Sequence, residues 1–421
     1  MSNHRTEPTM PSASLKSRLL PFLAVAGPGL VVMLADTDAG SVITAAQSGA
    51  RWGYKLLALQ LILIPILYVV QELTVRLGLF TARGHGELIR EHFGARWAWL
   101  SVATLLVSCL GALITELSGI AGVGALYGIP LPVSVGITLA FLMVVVITGS
   151  YRSVERVAVA IGLFELAFLY VAVVARPDPI EMLRGMASVP LGDRSYLYLV
   201  AANIGAVIMP WMVFYQQSAV VDKGLKPINL KAARVDTALG AVVTQAIMAA
   251  VLISAAATFG RAGGQGALDT VQDIARALTP YLGEVNGRLL FALGMLGAAL
   301  VATIVVALTA AWGLGEVMGY KRSLEHHPRE APWFYLVFTV VLVAGGILVS
   351  SGINLVELSV GVEVMNALLL PIVLGFLYTL SRRALPEAMR LKGPYAVVVA
   401  VTITLTAGLG VYGGISGLLG P

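Results

Sequence analysis

Eleven apolar runs divide this chain, at about 20–50, 54–79, 98–127, 132–150, 155–175, 196–219, 235–259, 284–313, 333–350, 355–380 and 394–419. Each is close to the roughly 20 residues that a helix needs to cross a bilayer. In hydrocarbon every backbone N–H and C=O must find a partner within the protein, so runs of this length fold as helices. The composition agrees, with 58% hydrophobic and 12% charged residues. The expectation is an all-α integral membrane protein of eleven transmembrane helices, with a tail at 1–19 and one transmembrane domain over 20–421. The first run follows an ordinary polar tail and lacks a small-residue cleavage motif, so it reads as a span and not a signal peptide.

The first run is interrupted. Leu20 to Ala35 is apolar, and Asp36-Thr37-Asp38-Ala39-Gly40-Ser41 follows before the run resumes. An ionised carboxylate at membrane depth is costly and marks a functional position. A broken membrane helix is tolerated where its freed backbone lines a cavity or a site. Carboxylates and free carbonyls at one depth are what a bound cation needs. Asp38 reads as the functional acid. Asp36 either lines the site, caps a half-helix or faces an entry vestibule. An EF-hand loop is excluded, because Gly40 holds the fifth position and no glutamate follows at the twelfth.

A second break falls in the sixth run, at Ala206-Val207-Ile208-Met209-Pro210-Trp211. Proline removes a helical hydrogen bond and clashes with the carbonyl four residues upstream, here that of Ala206. Met209 sets a soft sulfur beside it. One proline alone is more often a kink, and one methionine more often core packing. Two breaks five spans apart suggest inverted halves with the site between them. The repeats would cover about 20–175 and 196–380, with 394–419 added.

Of the 28 Lys and Arg residues, 20 fall in the tail and in loops 76–97, 151–156, 222–234, 320–330 and 381–393. That bias places the N-terminus in the cytoplasm and the C-terminus outside. It also accounts for the net charge of +5. No basic run is long or aromatic-laced enough for nucleic acid. The single Cys109 allows no intrachain disulfide, and the five histidines all fall in the tail or the basic loops. H-E-x-x-H and G-x-S-x-G are absent, so an intramembrane enzyme is disfavoured. No cofactor is implied.

The segment GPGLVVMLADTDAGSVITAAQSGARWGY from Gly27 to Tyr54 resembles the first transmembrane helix of the Nramp divalent-metal transporters. Asp38, Gly40, Gln47, Gly49, Gly53 and Tyr54 match that family's motif in register. Ala206-Val207-Ile208-Met209-Pro210 resembles its sixth helix. Arg76-Leu77-Gly78, Gly128-Ile129-Pro130-Leu131 and Leu290-Phe291-Ala292 are similar too. The resemblance implies an inverted 5+5 repeat with broken first and sixth helices, working by alternating access. It implies a metal held by Asp38, Ser41, the carbonyls of Ala35 and Ala206, and the sulfur of Met209. Asp36, Trp211 and Gln216 are further candidates to line the site.

The chain departs from the family pattern at telling positions. Ser41 replaces an Asn and Ala39 a Pro. Trp211 and Gln216 replace two histidines, and Leu113 replaces a third-helix Asp. The chain is thereby similar to the Nramp-related magnesium transporters. A smaller residue at 41 widens the site and leaves room for hydration water, which favours Mg²⁺. Met209 pulls toward softer metals. The expected function is transport of divalent cations, Mg²⁺ first and Mn²⁺ also, without obligatory proton coupling. A proton-coupled Mn²⁺/Fe²⁺ importer is the alternative. A sodium-coupled organic-solute transporter of the same architecture is a third, weakened because Asp38 would repel a substrate carboxylate. The expected setting is a bacterial cell membrane, with the protein a monomer.

Overall fold

A computed structural model describes residues 27–261, 268, 270–278, 283–350 and 355–419. The expected tail at 1–19, and residues 20–26 of the first run, lie outside them. Among the described residues every regular element is helical. The first half comprises α1 (Pro28–Asp36), α2 (Ala39–Trp52), α3 (Leu57–Thr81), α4 (His85–Phe93), α5 (Ala95–Leu126), α6 (Leu131–Thr148), α7 (Tyr151–Gly162), α8 (Leu166–Val174) and α9 (Pro179–Ala187). The second comprises α10 (Arg194–Val207), α11 (Pro210–Asp222), α12 (Leu230–Arg261), α13 (Val271–Leu278), α14 (Glu284–Met318), α15 (Pro332–Val349), α16 (Leu355–Arg383) and α17 (Gly393–Leu418).

Among the described residues, ten helical stretches are long and apolar enough to cross a membrane, beside the eleven runs of the sequence. One of them takes in parts of the first two runs. The first of the ten, Ala39–Thr81, joins α2 to α3. α1 and α2, on either side of the first break, lie in the first run, and α3 lies in the second. Exposed Val144, Val173, Ile347 and Leu405 on α6, α8, α15 and α17 form an apolar outer surface. The inner surface is closed by α1, α2, α10 and α11, which are buried along nearly their whole length. Such an all-round apolar exterior is what hydrocarbon requires of a helical bundle.

Two polar devices fix the buried helices. Asn203 of α10 donates to Ser48 Oγ of α2 (2.8 Å) and accepts from Gln60 Nε2 of α3 (2.6 Å). Asp236 of α12 accepts from the N–H groups of Gly27 (3.1 Å) and Gly29 (2.8 Å), capping α1. A Cβ on Gly29 would meet that carboxylate at 2.7 Å, so the Gly-Pro-Gly sequence is set by a residue on a distant helix. The cap also places a negative charge at the positive end of α1.

The end of the bundle that carries the basic loops is latched shut. Glu72 bridges Arg76 (2.6 Å) and Arg234 (2.7 Å). Gly86 N–H and Ser218 Oγ both donate to Glu316, at 2.8 and 2.5 Å. His85 Nδ1 lies 3.0 Å from Gln217 Oε1, and Gln217 Nε2 donates to the Arg83 carbonyl at 2.8 Å. His85 sits in a basic loop, as the sequence implies, yet it is fully buried, edge-on to Phe214. Burial pushes its imidazole from 6.5 down to about 4, against the opposing pull of the Gln217 acceptor.

A depressed His pKa means the packed state refuses a proton that the opened chain accepts. The stability from buried neutral His85 is therefore whole above about pH 6.5 and drains away as pH falls toward 4. Thermal unfolding of the purified protein at pH 7 and pH 5 checks this. His85→Phe should lose less between the two than the wild type; equal losses would contradict the latch's acid sensitivity.

Candidate metal site at two helix breaks

The first break occupies Thr37 and Asp38. Thr37 turns (φ −78°, ψ 46°) and Asp38 is extended (φ −72°, ψ 173°). Asp38 then caps α2, its Oδ1 accepting from Ser41 N–H at 2.6 Å. Its Oδ2 takes no hydrogen bond. A continuous helix would give the N–H of Ala39 to the carbonyl of Ala35. Here that N–H goes instead to Glu116 Oε2 of α5, at 3.0 Å. Glu116 thus holds the break open and leaves the Ala35 carbonyl without its helical donor.

The second break follows Val207. Ile208 and Met209 are non-helical (Met209 φ −89°, ψ 143°), and Pro210 opens α11. Pro210 has no N–H to give the Ala206 carbonyl. Ser41 Oγ fills that place from the other broken helix, donating to Ala206 O at 3.0 Å. Two of the expected ligands therefore meet directly, and the two breaks lie at one level. The indole Nε1 of Trp211 donates to Met209 Sδ at 3.2 Å. Asp38, Ser41, Ala35, Met209 and Trp211 are all at 0% exposure, so the site is shut from both sides.

Asp36 is buried beside the first break. Its Oδ2 accepts weakly from Thr244 Oγ1 of α12 (3.4 Å), whose hydroxyl is 2.7 Å from that of Thr37. It faces no vestibule. Gln216 stands apart, seven residues beyond Met209 and so roughly 10 Å along α11. It points to Thr237 at 3.5 Å.

Three further carboxylates that no local pattern singles out, Glu116, Glu165 and Glu363, reach the first break. Glu363 of α16 is held by Asn366 Nδ2 at 3.0 Å, and its Oε1 takes no hydrogen bond. A Cβ on Gly40 would meet Glu363 Oε1 at 2.4 Å and Asp38 Oδ1 at 3.5 Å. Gly40 is thus a glycine so that α16 can bring its carboxylate up to the start of α2. Glu165 faces Thr37, with no well-formed hydrogen bond at either oxygen. No group of three His, Cys, Asp or Glu side chains converges as metal ligands among the described residues. A cation at the breaks would rest on one or two carboxylates plus carbonyl, hydroxyl and thioether groups.

Toward the end away from the basic loops lies a cavity of about 350 Å³ lined by Gln47, Arg51, Tyr198, Leu268 and Glu357. Gln47 Nε2 donates to the Leu268 carbonyl, which closes the floor of this vestibule above α2.

Paired helix breaks, a buried carboxylate and freed carbonyls between inverted halves define a transporter fold of the inverted-repeat class. The chain belongs to the Nramp family, "Natural resistance-associated macrophage protein-like", whose sequence profile matches residues 29–416. It is 28% identical over 320 residues to the divalent metal cation transporter MntH of Brucella suis, covering 72% of this chain and 69% of that one. To the MntH of Agrobacterium fabrum it is 26% identical, over 81% of this chain and 75% of the relative. The Eremococcus coleocola manganese transporter superposes with a TM-score of 0.74 at 20% identity, over 98% and 90% of the two chains. MhsT in complex with L-phenylalanine shares the fold more distantly, with a TM-score of 0.61 at 14% identity over 93% and 98%. These relatives are transporters and not enzymes.

Gly40→Ala should drive a methyl into Glu363 and lower the thermal stability of the purified protein. Glu363→Ala in the same chain should recover much of the loss, because it removes the clashing oxygen. Additive destabilisation in the double variant would show that the two groups do not press on one another.

Proposed function

We propose that this chain carries divalent metal ions across the membrane by alternating access at the two breaks. The observation that carries this reading is Asp38, buried beside Glu116 with one carboxylate oxygen outside any well-formed hydrogen bond, where Ser41 ties the first broken helix to the Ala206 carbonyl of the second. Asp38 is the principal anionic ligand, with Ser41 and the carbonyls of Ala35 and Ala206 completing the site and Met209 lining it. The membrane family and the divalent-metal relatives support the substrate class. Basic-loop bias supports a cytoplasmic N-terminus and an outside C-terminus, in a bacterial cell membrane.

Mg²⁺ is the preferred ion, with Mn²⁺ also carried. Ser41 supports this, since a short hydroxyl leaves room for the hydration water that Mg²⁺ sheds reluctantly. A second reading, proton-coupled Mn²⁺/Fe²⁺ uptake, draws on Glu116, whose carboxylate touches the first break. It draws also on the manganese transporters among the structural relatives.

Uptake into proteoliposomes tests the assignment. Asp38→Ala should abolish transport while the protein still folds and inserts, and Asp36→Ala should be milder. Wild-type uptake by well-folded Asp38→Ala would refute the site, and loss in Asp36→Ala alone would exchange the two roles.

Transport should be electrogenic and not obligatorily proton-coupled, because Leu113, Trp211 and Gln216 do not titrate. A divalent ion gains about 4.6 kcal/mol per 100 mV, twice the value for one charge. An inward-negative potential should therefore accelerate uptake steeply. A pH gradient at clamped potential should drive no accumulation. Lumenal acidification that tracks metal entry and vanishes in Glu116→Gln would instead establish the proton-coupled reading.

A further inference from the structure

Met209 is the one soft donor at the breaks, and its sulfur already has a partner. Trp211 Nε1 donates to Met209 Sδ at 3.2 Å, with both side chains at 0% exposure. An indole N–H is a donor only, and a thioether sulfur is a weak acceptor. Met209 is the N-cap of α11 and Trp211 its second residue, so the helix start fixes both side chains relative to one another. Among the described residues no other acceptor reaches this N–H. The same protein contains buried indole N–H groups without partners, at Trp52 and Trp312. Trp211 is not among them, so the bond to sulfur is what satisfies it.

We propose that Trp211 is a specificity-determining positioning residue that withholds the Met209 sulfur from the metal, making the site a hard-cation site. This rests on the breaks being the metal site. The proton of the N–H lies against the sulfur, so a dication approaching that sulfur meets the positive end of the donor. To take the sulfur as ligand, the ion must also leave the indole N–H buried without an acceptor, and such orphaned donors are disfavoured. A cadmium ion, whose binding depends on sulfur, loses more by this than Mg²⁺, which is content with oxygen and water. The conflict between Ser41, which favours a hydrated hard ion, and Met209, which favours a soft one, is settled by a third side chain.

Two measurements test this on the full-length protein. The first is the ratio of Cd²⁺ to Mg²⁺ uptake in proteoliposomes. Trp211→Phe keeps a ring and removes the donor, and should raise the ratio roughly tenfold, the worth of about one hydrogen bond. In a Met209→Ala background the same change should do nothing. An unchanged ratio in Trp211→Phe, or an equal rise without Met209, overturns the proposal. The second is cadmium X-ray absorption on Cd²⁺-loaded protein, with Cys109→Ala removing the only thiol. With Trp211 present the cadmium shell should hold oxygen alone, and Trp211→Phe should add one sulfur. A Cd–S shell with Trp211 in place overturns the proposal even if Trp211→Phe does not fold. Loss of all metal uptake in Asp38→Ala, beside an unmoved ratio in Trp211→Phe, would leave the metal site standing and remove only the indole's role.

Discussion

Everything here depends on how the backbone freed at two helix breaks is satisfied inside a bilayer. Hydrocarbon offers no partner to an N–H or a carbonyl, so a break survives only when other parts of the protein supply one. At the first break Glu116 takes the Ala39 N–H, and Asp38 takes that of Ser41. At the second, Pro210 removes a donor and Ser41 supplies one to Ala206. The donors at the first break are thus paired with carboxylates. The acceptors, Ala35 and Ala206, are left to a hydroxyl or an ion. That imbalance, acceptors in excess at one depth, is the chemistry of a cation site.

The ends of the bundle fit the same account. On the basic side, Glu72 ties α3 to α12, and Glu316, His85 and Gln217 tie α4 to α11 and α14. On the other side, the Gln47 bond to Leu268 lies under an open vestibule. The site is closed to both. The caps of α1 and α2 differ in kind as well. α1 is held by Asp236 on α12, and α2 by its own Asp38. Both halves of the first broken span nevertheless pack along α12.

Much of this was legible in the sequence, because membrane helices announce themselves by length and apolarity, and breaks by acids and proline. Asp38, Pro210 and the Ala206 carbonyl stood out on local grounds. The partners did not. Glu116 lies 77 positions from Ala39, and Asp236 lies 207 from Gly29. No local pattern pairs them. His85 counted as a loop residue by the polarity of its neighbours, yet the loop folds inward and buries it. Gln216 matched a family position but lies along α11 from the break, facing α12. The bond from Trp211 to Met209 spans only two residues, yet it depends on the rotamers set where α11 begins. Ten stretches stand beside eleven runs because α2, in the first run, continues through a tight turn at 53–56 into α3, in the second.

The most direct test of the site is where a metal sits. Crystals soaked in Mn²⁺, with diffraction recorded at the manganese edge, should show an anomalous peak between the two breaks, within coordination distance of Asp38 and of the Ala206 carbonyl. A peak confined to the Gln47–Glu357 vestibule, or none at the breaks under conditions that support uptake, would contradict the account.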